Sequence, residues 1–158
     1  MDTAPELIDL APSPAIAIRA HVPLAQLQTF FGSAFLELVA CAGDAVAGPP
    51  LALYHSFDPA EVDVEAVVPV RTPVEVAGRI HPLPLGGGAA IQVRHIGPYT
   101  ELGEAYHALD QWLVDHSRAR ADVVREVYLT DPTVPADELV TLVIQPITSE
   151  AEAPPPAA

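Results

Sequence analysis

Basic residues are scarce in this sequence, and that scarcity excludes one class of function. Seven Lys and Arg residues stand against 21 Asp and Glu, which gives a formal net charge of −14 over 158 residues. Nucleic-acid binding draws most of its affinity from clustered basic side chains on phosphates, so direct nucleic-acid binding by this chain is not expected. An acidic field favours cationic ligands or basic partner surfaces instead.

Cysteine and the motifs of several enzyme classes are also missing. A single cysteine, Cys41, excludes an internal disulfide framework and a zinc ribbon, and its position near a predicted helix end suits a small buried hydrophobe. The six histidines show neither HExxH nor HxH spacing, and no GxSxG elbow is present. No GK[ST] follows Gly86-Gly87-Gly88, so this triplet predicts a hairpin turn and not a phosphate loop. We therefore expect no metal and no cofactor.

Long apolar runs and a secretory leader are absent as well. No apolar run approaches the roughly 18 residues that cross a bilayer, and no basic segment precedes an apolar one at the start. The expected compartment is the cytoplasm, without membrane attachment. Residues 1–5 and 149–158 are rich in Ala, Pro and acid, and they are expected to be flexible ends of one folded domain over residues 6–148.

Hydrophobic residues make up 50% of the chain, and their pattern repeats. In residues 6–70 a strand is followed by a helix over 23–42 with an apolar stripe that includes Phe31 and Phe35. Two strands follow, LALYHSF and VDVEAVVPV, on either side of an Asp-Pro turn.

Residues 74–148 repeat this order. The pattern predicts strands at VEVAGRI (74–80) and AIQVRHIG (90–97), followed by a helix over 99–116. Two further strands, VREVYLT and ELVTLVIQPI, lie on either side of a second Asp-Pro turn. Tyr54 and Tyr128 occupy matching strands, 74 residues apart. The pattern predicts an α+β fold of two β-α-β-β modules related by a pseudo-two-fold axis. Their antiparallel sheet would carry both helices on one face, with a ligand cleft between the halves.

Glu126 is the main candidate for a functional residue. It lies within VVREVYLTDP, which otherwise reads as a buried strand, and strand alternation points Glu126 and Tyr128 to the same face. An unpaired buried carboxylate is costly, so Glu126 either faces solvent, paired with Arg125 or Arg94, or lines a pocket that uses its charge.

The few aromatic residues, 6% of the chain, allow each to be weighed separately. Tyr54, Tyr99, Tyr106, Tyr128 and Trp112 are ordinarily core residues. If the Tyr54 and Tyr128 faces meet across the cleft, however, two phenols flank Glu126. Such a site suits a flat organic cation held by cation–π contact and one ion pair.

Segments in both halves resemble the GyrI-like (gyrase-inhibitor-like) effector-binding domains. In the second half these are HIGPYTELGEAYHALDQWL (95–113), REVYLTDP (125–132) and ELVTLVIQPI (138–147). Residues 48–70 are similar to the matching part of the first half. The resemblance implies the doubled β-α-β-β architecture and a cleft for hydrophobic, often cationic, small molecules. It also implies that Glu126 faces the ligand and that Tyr54, Trp112 and Tyr128, with Tyr99 beside them, surround it. Relatives join this domain to helix-turn-helix segments in transcription regulators, and no such segment fits this sequence, which is therefore expected to be the sensor module.

Three functions remain open at this point. The first is binding of a lipophilic cation for multidrug sensing or sequestration. The second is hydrolysis of strained electrophilic compounds, with Glu126 as general base and Tyr54 or Tyr128 as the supporting catalytic phenol. The third is a protein partner, such as inhibition of a DNA-handling enzyme like gyrase, and a homodimer is also compatible with the sequence.

Overall fold

A computed structural model describes residues 4–148, so the predicted tail at 149–158 and the first three residues lie outside the described part. The elements are β1 Glu6–Leu10, β2 Ala15–Val22, α1 Leu27–Ala42, β3 Leu51–Asp58, β4 Glu61–Pro69, β5 His81–Pro82, β6 Gly88–Ile96, α2 Gly103–His116, β7 Val124–Tyr128 and β8 Val140–Pro146. Short 3-10 turns precede α1, follow it, precede α2 and precede β8. The predicted α+β class is confirmed.

The strands form one antiparallel sheet in the order β1-β6-β8-β7-β3-β4-β2-β5. Its six inner strands are symmetric: β7 and β3 meet at the centre, β8 and β4 lie outside them, and β6 and β2 lie outside those. This order is the predicted pair of β-α-β-β modules, which run over residues 15–69 and 88–146. Since β3 and β7 occupy equivalent positions, the pseudo-two-fold axis passes between them.

Each helix covers the outer part of its own half on the same face of the sheet. In α1, Phe30, Ala34, Leu38 and Ala42 repeat every fourth residue, and this buried stripe packs against β2 and β4. In α2, Ala105, Leu109 and Leu113 pack against β6 and β8. The predicted stripe of α1 included Phe31 and Phe35, but these rings lie beside the buried stripe and only partly buried. The helices thus pack mainly on the outer strands, and side chains fill the space over the central strands β3 and β7.

The other face of the sheet has its own smaller core, which the connector before β6 helps to cover. Leu85 of that connector packs with Leu51, Leu53, Ala17 and Val67 of the sheet. Arg125 and Val127 of β7 lie on this face, because they alternate with Glu126 and Tyr128. The sheet is therefore buried on both sides near its centre.

Two local predictions are wrong. Residues 74–80 form no strand; Val74, Val76 and Ile80 instead pack against the α1 cluster as an irregular segment. Alternating apolar residues favour a strand, but both flanks of β2 are already paired, with β4 and with β5. The Gly86–Gly88 stretch is likewise not a hairpin turn, since β5 pairs with β2 whereas β6 pairs with β1 and β8.

One helical stretch is longer and more apolar than the sequence reading anticipated. Leu24–Ala45, which includes α1 and its flanking turns, has the length and composition of a membrane-crossing helix, with a mean hydropathy of 1.3 over its most apolar window. Core helices of globular domains pass the same test, and the buried stripe of α1 packs on the sheet as a core helix does.

The connector before β6 crosses the segment after β1 so closely that Gly87 has no room for a side chain. A Cβ at Gly87 would lie 2.5 Å from the Leu10 carbonyl oxygen and 2.7 Å from Pro12 Cδ. Gly87→Ala should therefore lower the free energy of unfolding by about 1–3 kcal/mol, as overpacking does. Thermal or urea unfolding measures this.

The neighbouring Gly86 is the matched control, because a Cβ there meets no described atom within 4 Å. Gly86→Ala should change stability by less than about 0.5 kcal/mol. Equal effects at the two positions would contradict the crossing of these segments.

Candidate ligand-binding cleft

The gap between the helices contains the side chains that β3 and β7 project toward them. Strand alternation puts Ala52 and Tyr54 of β3 on this face, together with Glu126 and Tyr128 of β7. Ala52 and Glu126 are direct cross-strand partners, and they lie 74 residues apart, as Tyr54 and Tyr128 do. The symmetry axis therefore passes between Ala52 and Glu126. A methyl group on one side of the axis leaves space for the carboxylate on the other.

Glu126 is buried and held by phenols. It is 7% exposed, with Oε2 accepting a short hydrogen bond from the Tyr106 hydroxyl and Oε1 accepting one from the Tyr128 hydroxyl at 2.9 Å. The Tyr54 hydroxyl lies 3.4 Å from that of Tyr128. Because Tyr128 uses its hydrogen for Glu126, Tyr54 must donate to Tyr128. The chain of donors therefore runs from Tyr54 through Tyr128 to the carboxylate.

Burial makes the charge on this carboxylate costly. Loss of solvation raises the pKa of Glu126 above its usual range, while hydrogen bonds from Tyr106 and Tyr128 and the nearby His95 partly oppose that rise. Burial and the Glu126 charge also raise the pKa values of Tyr54, Tyr99, Tyr106 and Tyr128. The phenols therefore stay protonated and act as hydrogen-bond donors. A positive group beside Glu126 would favour its ionised form.

Aromatic rings surround Tyr128, mostly edge-on. Its ring centroid lies 6.1 Å from that of Phe31 and 6.4 Å from that of Phe35, both on α1, and 5.9 Å from that of Tyr99. These are favourable aromatic separations. Helix α1 thus contributes purely apolar rings, whereas α2 contributes the hydroxyl of Tyr106. The symmetric backbone carries an asymmetric site.

A cavity of about 610 Å³ adjoins this cluster. Tyr54, Tyr106 and Val124 form its inner wall, and the outer part includes His55, Asp110, Arg120, Asp122 and Gln145. Its volume falls within the range for drug-sized ligands. Glu126 is not among the lining residues, but Tyr106, which donates to it, and Tyr54, which contacts Tyr128, both line the cavity.

Two polar atoms on the same face of the sheet lack a hydrogen-bond partner within residues 4–148. They are His95 Nδ1 and Thr141 Oγ1, whose residues are direct cross-strand neighbours on β6 and β8. His95 Nε2 donates to the Pro98 carbonyl oxygen at 3.1 Å, so among the described residues only Nδ1 of this ring lacks a partner. Thr141 pairs on its other side with Tyr128. His95 and Thr141 therefore each keep one polar atom that could form a further hydrogen bond.

The structure brings four of the five predicted ligand residues together: Glu126, Tyr54, Tyr128 and Tyr99. Trp112 lies apart from them, stacked on His116 at 3.9 Å and packed against the α2 core cluster. The solvated alternative for Glu126 is wrong, and Arg125, offered as its partner there, lies on the opposite face of the sheet. Arg125 donates to the Gly86 carbonyl oxygen instead.

Sequence reasoning left Tyr106 among the core residues of α2, although it donates directly to Glu126. A signal was available, since a tyrosine on a buried stripe usually requires a partner for its hydroxyl. Phe31 and Phe35 were also assigned to the helix core. The helix stripe alone does not tell which of its members face the sheet and which face the gap.

Comparisons with known proteins agree with this geometry. A family model described as a GyrI-like small molecule binding domain matches residues 3–148. No curated protein sequence matches the chain.

Several solved structures share the fold. The EcmrR C-terminal domain has a TM-score of 0.78 at 22% identity, over 91% of this chain and 96% of that one. EcmrR in a DNA complex has a TM-score of 0.82 at 22% identity over 90% of this chain, which spans only 56% of the EcmrR chain.

Two more distant structures have a TM-score of 0.63. One is described as a hydrolase from Listeria innocua, at 13% identity over 92% of each chain. The other is SAV2435 bound to tetraphenylphosphonium, at 11% identity over 92% of this chain and 94% of that one.

The cost of charging Glu126 predicts a stabilising substitution. Since the pKa of Glu126 is raised in the folded state, ionisation at neutral pH destabilises that state. Glu126→Gln should therefore raise Tm at pH 7. The gain should shrink as the pH falls through the raised pKa toward the unfolded value near 4.5, because wild-type Glu126 is then protonated in the folded protein.

Calorimetry of both proteins from pH 4 to 8 measures the difference. Glu138→Gln, at an exposed position, is the control and should leave Tm nearly unchanged throughout. A Glu126→Gln protein less stable than wild type at pH 7 would refute the cost assigned to the buried charge.

Proposed function

Because the chain belongs to the GyrI-like small-molecule-binding family, we propose that its cleft binds lipophilic organic cations. Such binding serves either effector sensing or sequestration of the compound. Tyr54, Tyr128, Glu126 and Tyr106 form the recognition centre, and Phe31, Phe35 and Tyr99 supply the apolar rings around it.

One observation carries this proposal: the only hydrogen bonds to this desolvated carboxylate in the described part of the chain come from neutral phenols. In the described part of the chain, no Lys, Arg or His nitrogen lies within 4.0 Å of the Glu126 oxygens. An ionised carboxylate without a positive partner is strongly destabilised away from water. A bound cation supplies the missing charge, and the surrounding ring faces attract it further.

The cavity supports a ligand of ordinary drug size with access to this centre. A cation in this cavity contacts Tyr54 and Tyr106, of which Tyr106 is hydrogen-bonded to Glu126. The overall charge of −14 raises the local concentration of cations near the entrance. The tetraphenylphosphonium complex of SAV2435, which shares the fold, is consistent with this class of ligand.

If this domain serves in the regulation of transcription, we propose that the DNA is contacted by a region other than this domain. EcmrR has been observed on DNA, but this chain corresponds to 56% of its length. With seven basic residues against 21 acidic ones, we propose that this domain reports ligand occupancy and does not itself contact nucleic acid.

Glu126→Gln should weaken binding of a cationic ligand by about 1–3 kcal/mol, roughly 5- to 150-fold, because the amide supplies no counter-charge. Fluorescence titration with a lipophilic cationic dye, with tetraphenylphosphonium as competitor, measures the change. A neutral aromatic analogue of similar size should lose much less affinity.

Glu138→Gln again serves as the control, since it removes the same charge from an exposed site. The control should bind the cation as tightly as wild type does. The proposal fails if Glu126→Gln binds it equally tightly.

A second function, hydrolysis of a strained electrophile, is favoured by the hydrogen bond between Tyr106 and Glu126. The raised pKa of Glu126 makes it a stronger base than an exposed glutamate. In this reaction Glu126 takes a proton from water as the oxygen bonds to the electrophilic ring carbon. The ring bond breaks, and the atom that receives its electron pair then takes up a proton. The phenols, protonated at neutral pH, hold the developing charge by hydrogen bonds.

Mass spectrometry after incubation with an electrophilic cyclopropane decides between binding and turnover. Hydrolysis predicts a product heavier by one water that accumulates beyond one equivalent of protein, and a rate lowered at least about 100-fold in Glu126→Gln, the range for loss of a general base. Tyr106→Phe should reduce the rate less, since Tyr128 still donates to Glu126. Equal rates for wild type, Glu126→Gln and buffer alone would exclude catalysis.

A further inference from the structure

A second, smaller cavity lies on the face of the sheet opposite the cleft. Its volume is about 120 Å³. The sheet contributes Leu53, His55, Glu65 and Arg125 to its walls, and the remaining walls come from the connector 83–86 and from Asp122 and Val123. On this measure one water molecule needs roughly 10–15 Å³, so the cavity has room for a molecule of a few heavy atoms.

Arg125 is an unusual residue to find in such a place. It is 9% exposed, and its guanidinium makes one hydrogen bond, from Nη2 to the Gly86 carbonyl oxygen at 2.9 Å. Within residues 4–148 no carboxylate oxygen lies within 4.0 Å of its guanidinium nitrogens. Buried arginines are normally paired, and a guanidinium has five donors to satisfy. Burial accordingly lowers the pKa of Arg125.

The acidic groups around the cavity do not meet this demand, because no carboxylate oxygen of the described residues lies within reach of the guanidinium and most of these oxygens have other partners. Glu65 accepts from His55 Nε2 at 2.6 Å and from His81 Nε2 at 2.8 Å, one bond to each carboxylate oxygen. Asp122 acts on Arg125 only through space, and its Oδ1 accepts from the Val123 amide at 2.8 Å. The cavity therefore has unused donors on the Arg125 side and mostly engaged acceptors opposite them.

We propose that this cavity binds a small carboxylate, with Arg125 as its principal ligand-binding residue. The occupant supplies the acceptor oxygens that the guanidinium lacks, in the paired geometry for which a planar guanidinium is suited. The cavity size limits it to an anion of about the size of acetate, in contrast to the drug-sized ligand of the cleft. Arg125 and Glu126 project to opposite faces of β7, so Arg125 lies apart from the recognition centre, although His55, Asp122 and Val123 line both cavities.

Thermal unfolding in increasing sodium acetate tests the site. Sodium gluconate keeps the pH and ionic strength constant, because its six-carbon anion exceeds a cavity of this size. Wild-type protein should show a rise in Tm that saturates with acetate concentration. Arg125→Met, which keeps an unbranched apolar stem and removes the donors, should abolish the acetate-dependent rise.

Arg94→Met is the matched control, because Arg94 is exposed, lies outside the cavity and also projects from this face of the sheet. It should retain the full acetate response. An acetate response that persists in Arg125→Met, or a wild-type protein without a saturating response, overturns the proposal.

A measurement on wild-type protein covers the case in which Arg125→Met does not fold. In protein with ¹⁵N-labelled arginine, one Nε–H resonance should shift on addition of acetate and remain fixed in gluconate. Arg125→Lys, which keeps the positive charge, should lose that resonance and so identify it. If no arginine resonance responds specifically to acetate, the site does not exist. The cationic-dye affinity of the cleft should be unaffected in either case, so the two hypotheses can fail independently.

Discussion

The central constraint on this molecule is one carboxylate buried at the middle of a sheet, with phenols as its hydrogen-bonding partners. Glu126 lies beside the symmetry axis, where the Ala52 methyl group makes space for it. Two hydrogen bonds hold the charge without neutralising it. The fold therefore keeps a site that is more costly than an apolar core would be, and under the proposed function a positive ligand would offset that cost.

The duplicated architecture explains both where the cleft lies and why it can be selective. Two equivalent modules join through β3 and β7, and each helix covers only the outer strands of its own module. The gap above the central pair thus follows from the topology. Selectivity comes from departures from symmetry: Glu126 faces Ala52, and the rings of α1 face the hydroxyl that α2 provides through Tyr106.

The α+β class and much of the cleft could be predicted from sequence because they depend on local periodicity, whereas the family was recognised from the resemblance of segments 95–113, 125–132 and 138–147. Alternation along β7 put Glu126 and Tyr128 on one face, and equal spacing matched Tyr128 with Tyr54. Positions decided by competition between segments could not be predicted. Residues 74–80 alternate like a strand yet find no free partner, Tyr106 belongs to a helix stripe whose members face different neighbours, and Arg125 shows its missing partner only when the walls around it are known.

The two outermost strands bind the modules to each other. Strand β1 precedes the first module but pairs with β6 of the second, and β5 precedes the second module but pairs with β2 of the first. A polypeptide with one module alone would have its leading strand unpaired unless a second copy accepted it. The single chain is thus the covalent equivalent of a strand-exchanged dimer. Its halves are expected to unfold together, and separated fragments should regain structure only by complementing each other.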